Sequence, residues 1–278
     1  MSAECPVPSG LRLGTRHSAL CTGHFMNDVL FFNGRWTTTD ERVLGVEDRG
    51  FQFGDAVYEV FKFLRKRPIL AIDHFRRLDR GLREIDIRNP WNESGFLRTV
   101  DELLDRTIFD DGIVYIQVSR GEGERAHFYP DNMPPTALMY TRRFKFPDEV
   151  KKELGIRLIT APDLRWKQCQ VKSVNLLPNA LAKKRAQRKG ADEALLVGDG
   201  EVREGASSSF FVVRAGRLIT HPLDEHILAG VVRDRVIGNS RRGEITTRLQ
   251  RLFDDLEMSE MSQQRRETTV SDSPPRRR

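Results

Sequence analysis

The period of the hydrophobic positions changes several times along this chain, and each change marks an element. Val29-Leu30-Phe31-Phe32 is a short apolar run followed by Asn33-Gly34, the pair best able to adopt the left-handed backbone of a tight hairpin turn, and then by Arg35-Trp36. A strand that turns back on itself is predicted there. From Gly54 to Phe63 apolar residues alternate with Tyr58 and then Glu59 or Lys62, the signature of a second, largely buried strand. Ile72 to Arg83 carries His74, Leu78 and Leu82 at helical spacing, and Thr99 to Leu104 belongs to a further helix. Ile113–Ser119 and Ala137–Thr141 read as the third and fourth strands, separated by a glycine-rich loop from Arg120 to Pro135.

Phe144 to Lys152, centred on Pro147, predicts a linker. Beyond it the pattern repeats in kind, with a strand at Ile156–Thr160, a strand-to-helix passage from Gln170 to Arg188, and strands at Ala194–Val197 and Ser209–Val213. The expected organisation is therefore a loose extension over 1–25, an α+β domain over 26–146, an α/β cofactor-binding domain over 147–237, and a divergent tail over 238–278, with Met26 a candidate start of the folded protein. In the tail, Glu244–Thr247 and Leu249–Leu256 are weakly periodic, but everything from Met258 is polar and the chain ends Pro274-Pro275-Arg276-Arg277-Arg278. No buried strand can be drawn there, so the tail is expected to be disordered or non-native, the product of a shifted reading frame or a truncated gene.

Composition narrows the class. A chain of 278 residues with 38% hydrophobic and 31% charged residues is long enough to bury a sizeable core, which excludes a short binding module and an intrinsically disordered chain. No apolar run approaches the ~20 residues that span a bilayer, and the first 25 residues lack the apolar stretch of a secretory signal. The cytoplasm is the expected compartment, with no membrane partner. Half of the net charge of +6 sits at the two ends; nine Arg against seven acids fall in 238–278 alone. The surplus on the body is small, so no nucleic-acid partner is expected. Cys5, Cys21 and Cys169 form neither a spaced metal cluster nor an even disulfide framework, and no metal is expected.

The chemistry concentrates around Lys172. It lies between Val171 and Val174 in a stretch whose neighbours favour the interior, and burial disfavours an ammonium, as an amine that attacks carbonyls requires. A lysine in such a setting is more often a side chain that runs along apolar surface to reach water. By themselves, Glu204 in Val202-Arg203-Glu204-Gly205 reads as a solvated turn acid, Arg77 as one of several helix-surface arginines beside Arg76, Arg80 and Arg83, and Ser207 and Ser208 as turn residues.

Five blocks in order change that balance. Phe53-Gly54-Asp55-Ala56-Val57-Tyr58-Glu59-Val60, His74-Phe75-Arg76-Arg77-Leu78, Trp166 to Ala182, Glu204-Gly205-Ala206-Ser207-Ser208-Ser209-Phe210 and Ile227-Leu228-Ala229-Gly230-Val231-Val232-Arg233 together resemble the class IV (fold-type IV) pyridoxal-phosphate aminotransferases, with D-amino acid transaminases the nearest branch. The resemblance runs from about Met26 to Ile237. It implies a two-domain fold of that type with an incomplete C-terminal part, pyridoxal 5′-phosphate as cofactor, and a homodimer in which the partner closes part of each site. Lys172 would carry the cofactor and move a proton at the substrate α-carbon; Glu204 would face the pyridine nitrogen. Arg77, the turn at Val231 and Val232, Ser207 and Ser208 would hold the cofactor. The family commonly has Thr where this chain has Val232, which removes one hydroxyl contact. Tyr58, Arg125 and His127 resemble a trap for the substrate carboxylate. The implied reaction is ping-pong transfer of an amino group from a D-amino acid such as D-alanine to a 2-oxo acid such as 2-oxoglutarate. The alternatives carried beside it are a branched-chain aminotransferase or aminodeoxychorismate lyase activity, or a truncated, catalytically impaired relative. Thr268-Thr269 falls near the family's further phosphate loop but lacks the flanking apolar strand, so its role is not carried over.

Overall fold

The computed structural model describes residues 28–144, 154–214 and 217–238. The first of these segments is built on a six-stranded antiparallel sheet in the order β2-β1-β6-β5-β3-β4, with β1 Val29–Phe32, β2 Arg35–Thr38, β3 Ala56–Leu64, β4 Arg67–Pro68, β5 Gly112–Ser119 and β6 Thr136–Arg142. Asn33 and Gly34, at φ 45° and 87°, make the hairpin between β1 and β2. In β3 the pleat buries Val57, Glu59, Phe61 and Phe63 and leaves Tyr58, Val60 and Lys62 on the other face.

Helices α2 (Ala71–Glu84) and α3 (Glu93–Arg106) cover one face of this sheet. Their apolar stripes supply Leu78, Leu82, Phe96, Leu103 and Leu104 to a core completed by Phe63, Val114, Ile116 and Met139. Each such buried side chain contributes roughly 1.5–3 kcal/mol. A short helix, α1 (Arg49–Phe53), precedes β3; Asp48 caps it by accepting from the Gly50 amide at 2.8 Å, and Gly54 closes it at φ 68°. One turn carries too little periodicity to be read from sequence.

The second sheet has the order β7-β8-β9, formed by Leu158–Pro162, Glu193–Gly198 and Glu201–Gly205. Strands β7 and β8 are parallel, joined across α4 (Leu177–Arg188), whose Ala182 and Ala186 pack on Ala161, Ala194 and Leu196. β9 lies where the sequence suggested only a turn. Asp199 and Gly200, both at positive φ, return the chain antiparallel to β8 and carry Glu204 to the end of the new strand. The strand expected from Ser209 begins at Val212 and pairs, as β10 (Val212–Arg214), with β11 (Arg217–Ile219); Ser207 to Phe211 is loop. Helix α5 spans Val231–Gly238.

The Lys172 segment is laid along the free edge of β3. The Tyr58 amide donates to the Lys172 carbonyl at 3.0 Å, Val174 N donates to Ala56 O at 3.2 Å, and Val57 and Ser173 form a bridge. The N-terminal extension, Cys5 and Cys21, the boundary expected at 147, and the tail from 239 lie outside the described residues. No described helix is long and apolar enough to cross a membrane.

Candidate active site

A cavity of about 460 Å³ opens beside this seam and is lined by Tyr58, Arg77, Lys172, Glu204, Ser207, Ser208, Val231 and Val232, together with residues the sequence did not single out. Because β3 fixes both neighbours, the Lys172 Nζ donates to Tyr58 Oη at 3.3 Å and lies 4.3 Å from the centre of its ring. Burial pushes the Lys172 amine down to about 8, aided by Arg77 and opposed by Glu59 and Glu204. At neutral pH about a tenth of such an amine is unprotonated, several hundredfold more than for an ordinary lysine.

Arg77 is buried on the inner face of α2, and its guanidinium forks onto Glu59, with Nε–Oε1 at 2.6 Å and Nη2–Oε2 at 2.8 Å. Nη1 donates to the carbonyl of Ala229, just before α5, at 3.0 Å. Three of its five N–H groups thus have acceptors. Glu59 also meets His74 Nδ1 at 2.7 Å. Burial alone would raise the Glu59 carboxyl, but Arg77 and His74 bring it down to about 2. Sequence reasoning passed over both Glu59 and His74; the available signal was a carboxylate on the buried face of β3 between Val57 and Phe61.

Glu204 accepts from Arg165 Nη1 and from the Leu228 amide at 3.3 Å. Its carboxyl is raised because burial outweighs Arg165. Arg165, also missed, is forked onto Asp163 at 2.9 and 2.8 Å and donates to the His226 carbonyl at 2.8 Å. The hydroxyls of Ser207 and Ser208 donate to Glu193 Oε2 at 2.9 and 3.1 Å. Val231 is buried and Val232 partly exposed at the start of α5, where first-turn amides have no intrahelical acceptor. A Cβ on Gly230 would meet Ser209 Oγ at 2.8 Å and Arg233 Cβ at 3.0 Å, so a side chain here would crowd the Ser209 hydroxyl and the first turn of α5. Cys169 is free and buried, its thiol pushed up to about 11 by burial, which makes it a poor nucleophile.

Arg125 and His127 do not join the cavity within one chain, contrary to the expectation of convergence on Tyr58. Both are exposed on the loop after β5 and lie around Phe53, with the Arg125 guanidinium 5.1 Å and the His127 ring 5.9 Å from its centre. The loop is held from outside, by Arg49 Nη1 donating to the Ala126 carbonyl at 2.7 Å and by the Phe53 ring, contacts distant in sequence that local pattern does not show.

A buried amine, a carboxylate fixed by an arginine, and a helix start whose first amides lack intrahelical acceptors are a set that pyridoxal phosphate would fit. The family model for amino-transferase class IV matches residues 56–257, which reaches twenty residues past the boundary expected at 237. The chain belongs to the class IV aminotransferases. This aminotransferase is 38% identical over 208 residues to a D-alanine aminotransferase of Bacillus licheniformis, covering 75% of this chain and 73% of that one. It is 32% identical over 207 residues to a D-alanine aminotransferase of Staphylococcus aureus, covering 74% and 73%. Among solved structures it resembles a branched-chain aminotransferase of Thermoproteus uzoniensis, at TM-score 0.69 and 22% identity, over 77% of this chain and 74% of that one. A hypothetical aminotransferase of Mycobacterium tuberculosis in its pyridoxal-phosphate-bound form matches at TM-score 0.64 and 21% identity, with 76% of each chain covered. Class IV aminotransferases depend on pyridoxal phosphate, and the fold-type IV architecture read from the sequence is the one these structures share.

Proposed function

We propose that this chain binds pyridoxal 5′-phosphate on Lys172 and transfers the amino group of a D-amino acid, with D-alanine the reference substrate, to a 2-oxo acid such as 2-oxoglutarate. The observation that carries the reading is the Lys172 amine, held by the edge of β3 against Tyr58 and depressed to about 8. The D-alanine aminotransferase relatives support the choice of substrate.

When bound, pyridoxal phosphate supplies an electron sink conjugated to the substrate α-carbon. Lys172 would take the proton from the substrate α-carbon as general base and return it as general acid, for which an amine near neutrality is suited. Tyr58 accepts a hydrogen bond from that amine and fixes its direction. Glu204 would pair with the ring nitrogen while Arg165 keeps the carboxylate in place. Arg77, the first-turn amides of Val231 and Val232, and the loop of Ser207 and Ser208 would hold the phosphate, Arg77 through the N–H groups that Glu59 and the Ala229 carbonyl leave free. Val232 offers only its amide.

Arg125 and His127 would bind the substrate carboxylate. Their exposure in one chain supports a homodimer in which they reach the partner's cavity alongside its Tyr58.

D-alanine and L-alanine compared in one coupled assay test the stereochemistry. D-alanine turnover should dominate; equal or L-only turnover overturns the assignment. Lys172→Ala should lower turnover at least a hundredfold and abolish fixation of the cofactor to the chain by borohydride. Retained fixation would remove Lys172 from its role.

A further inference from the structure

Between the cavity and the Arg125–His127 loop stands α1, and its two ends grip that loop in different ways. Arg49 is 4% exposed. Its Nη1 donates at 2.7 Å to the carbonyl of Ala126, the residue between Arg125 and His127, while its backbone amide donates to Gly121 O at 2.9 Å. One turn later, the Phe53 ring contacts both side chains of the pair, Arg125 against its face and His127 edge-on. The arginine is itself fixed. Asp55 takes Arg49 Nε at 3.0 Å and Arg120 Nε at 2.8 Å, and Tyr129 lies over Arg120 at 3.5 Å and Arg49 at 5.2 Å.

We propose that Arg49 and Phe53 are positioning residues for substrate recognition: Arg49 sets the backbone between Arg125 and His127, and Phe53 sets the direction of their side chains. This rests on the reading of Arg125 and His127 as the carboxylate-binding pair. A guanidinium and an imidazole on an otherwise solvated loop would spend most of their time apart, and ordering them would cost rotamer entropy at each binding event. The buried ion pair and the aromatic platform hold that order beforehand, so their loss weakens binding of carboxylate substrates without touching the proton transfer at Lys172.

The test uses the full-length holoenzyme with Phe53→Leu, Arg49→Lys, Arg125→Ala/His127→Ala, and Phe53→Leu combined with that pair, measuring KM and kcat for D-alanine and 2-oxoglutarate beside cofactor absorbance. Phe53→Leu and Arg49→Lys should each raise KM about tenfold with kcat within about twofold and the cofactor band unmoved. In the Arg125→Ala/His127→Ala background Phe53→Leu should add nothing further, because the groups it positions are gone. Unchanged KM in both single variants, or an effect that persists in the background lacking the pair, overturns the proposal while leaving the pair's role intact. An Arg125→Ala/His127→Ala enzyme with parental KM would instead bring down the reading of the pair, and the platform with it. Should Arg49→Lys fail to fold, Phe53→Leu at its partly exposed site decides.

Discussion

A lack of water, helped by the positive charge of Arg77, depresses the Lys172 amine. Desolvation is the largest influence on Lys172, and the two acids nearest in effect, Glu59 and Glu204, oppose it. Its amine should therefore lose its proton near pH 8 instead of 10.5. Uptake of pyridoxal phosphate by the apoenzyme, followed by absorbance, should rise about tenfold per pH unit below 8 and level off above it. Glu59→Gln removes an anion that favours the ammonium and leaves the positive charge of Arg77 uncompensated; both changes lower the amine further, so the plateau should begin at a lower pH. A plateau shifted upward would show that Glu59 acts on Lys172 in some other way. The same shift links to stability. Between about pH 8 and 10.5 the unfolded chain binds a proton at this position that the folded chain has lost, so the apoenzyme should gain stability as pH rises through that window. Lys172→Met should remove the gain in urea titrations. At this scale the sequence exposed Lys172, Glu204 and Arg77 through the family blocks, but not their partners Arg165 and Glu59, since a partner far along the chain leaves no local mark.

Elements turn these residues into a site. The apolar alternation of β3 and the helical spacing of α2 were legible because each repeats over several residues and faces a core. β9 and α1 were not, being set by a single turn and a single cap. Yet α1 ends where the site begins. Gly54 adopts φ 68° and its carbonyl accepts from Asn175 Nδ2 at 3.2 Å, three residues beyond Lys172. A Cβ there would collide with the Asn175 side chain and strain a left-handed backbone. Gly54→Ala should thus cost about 1–3 kcal/mol by urea denaturation and also slow turnover, because relief of the clash moves the Lys172 segment off the edge of β3. Unaltered stability would mean that the seam tolerates displacement.

At the scale of the molecule, Arg125 and His127 lie outside the cavity of their own chain. Phe128, next to His127, is 82% exposed, and Phe51 in α1 is 74% exposed. If the pair works across a dimer, Lys172→Ala and Arg125→Ala should complement each other. Refolding an equal mixture should restore about a quarter of parental activity, since half of the dimers are hybrids and each hybrid has one intact site. No recovery above the separate variants would place both residues in the same chain's site.

What the sequence determined by itself was the class of chemistry and the elements that hold it: periodic burial fixes strands and long helices through short-range spacing, and five ordered blocks mark the chain as a class IV aminotransferase. Only the tertiary structure decided which charges meet. Arg77 joins Glu59, Glu204 joins Arg165, and Arg125 and His127 gather on Phe53. Those pairings depend on which strands lie side by side and on how much water burial excludes, and both are properties of the folded whole.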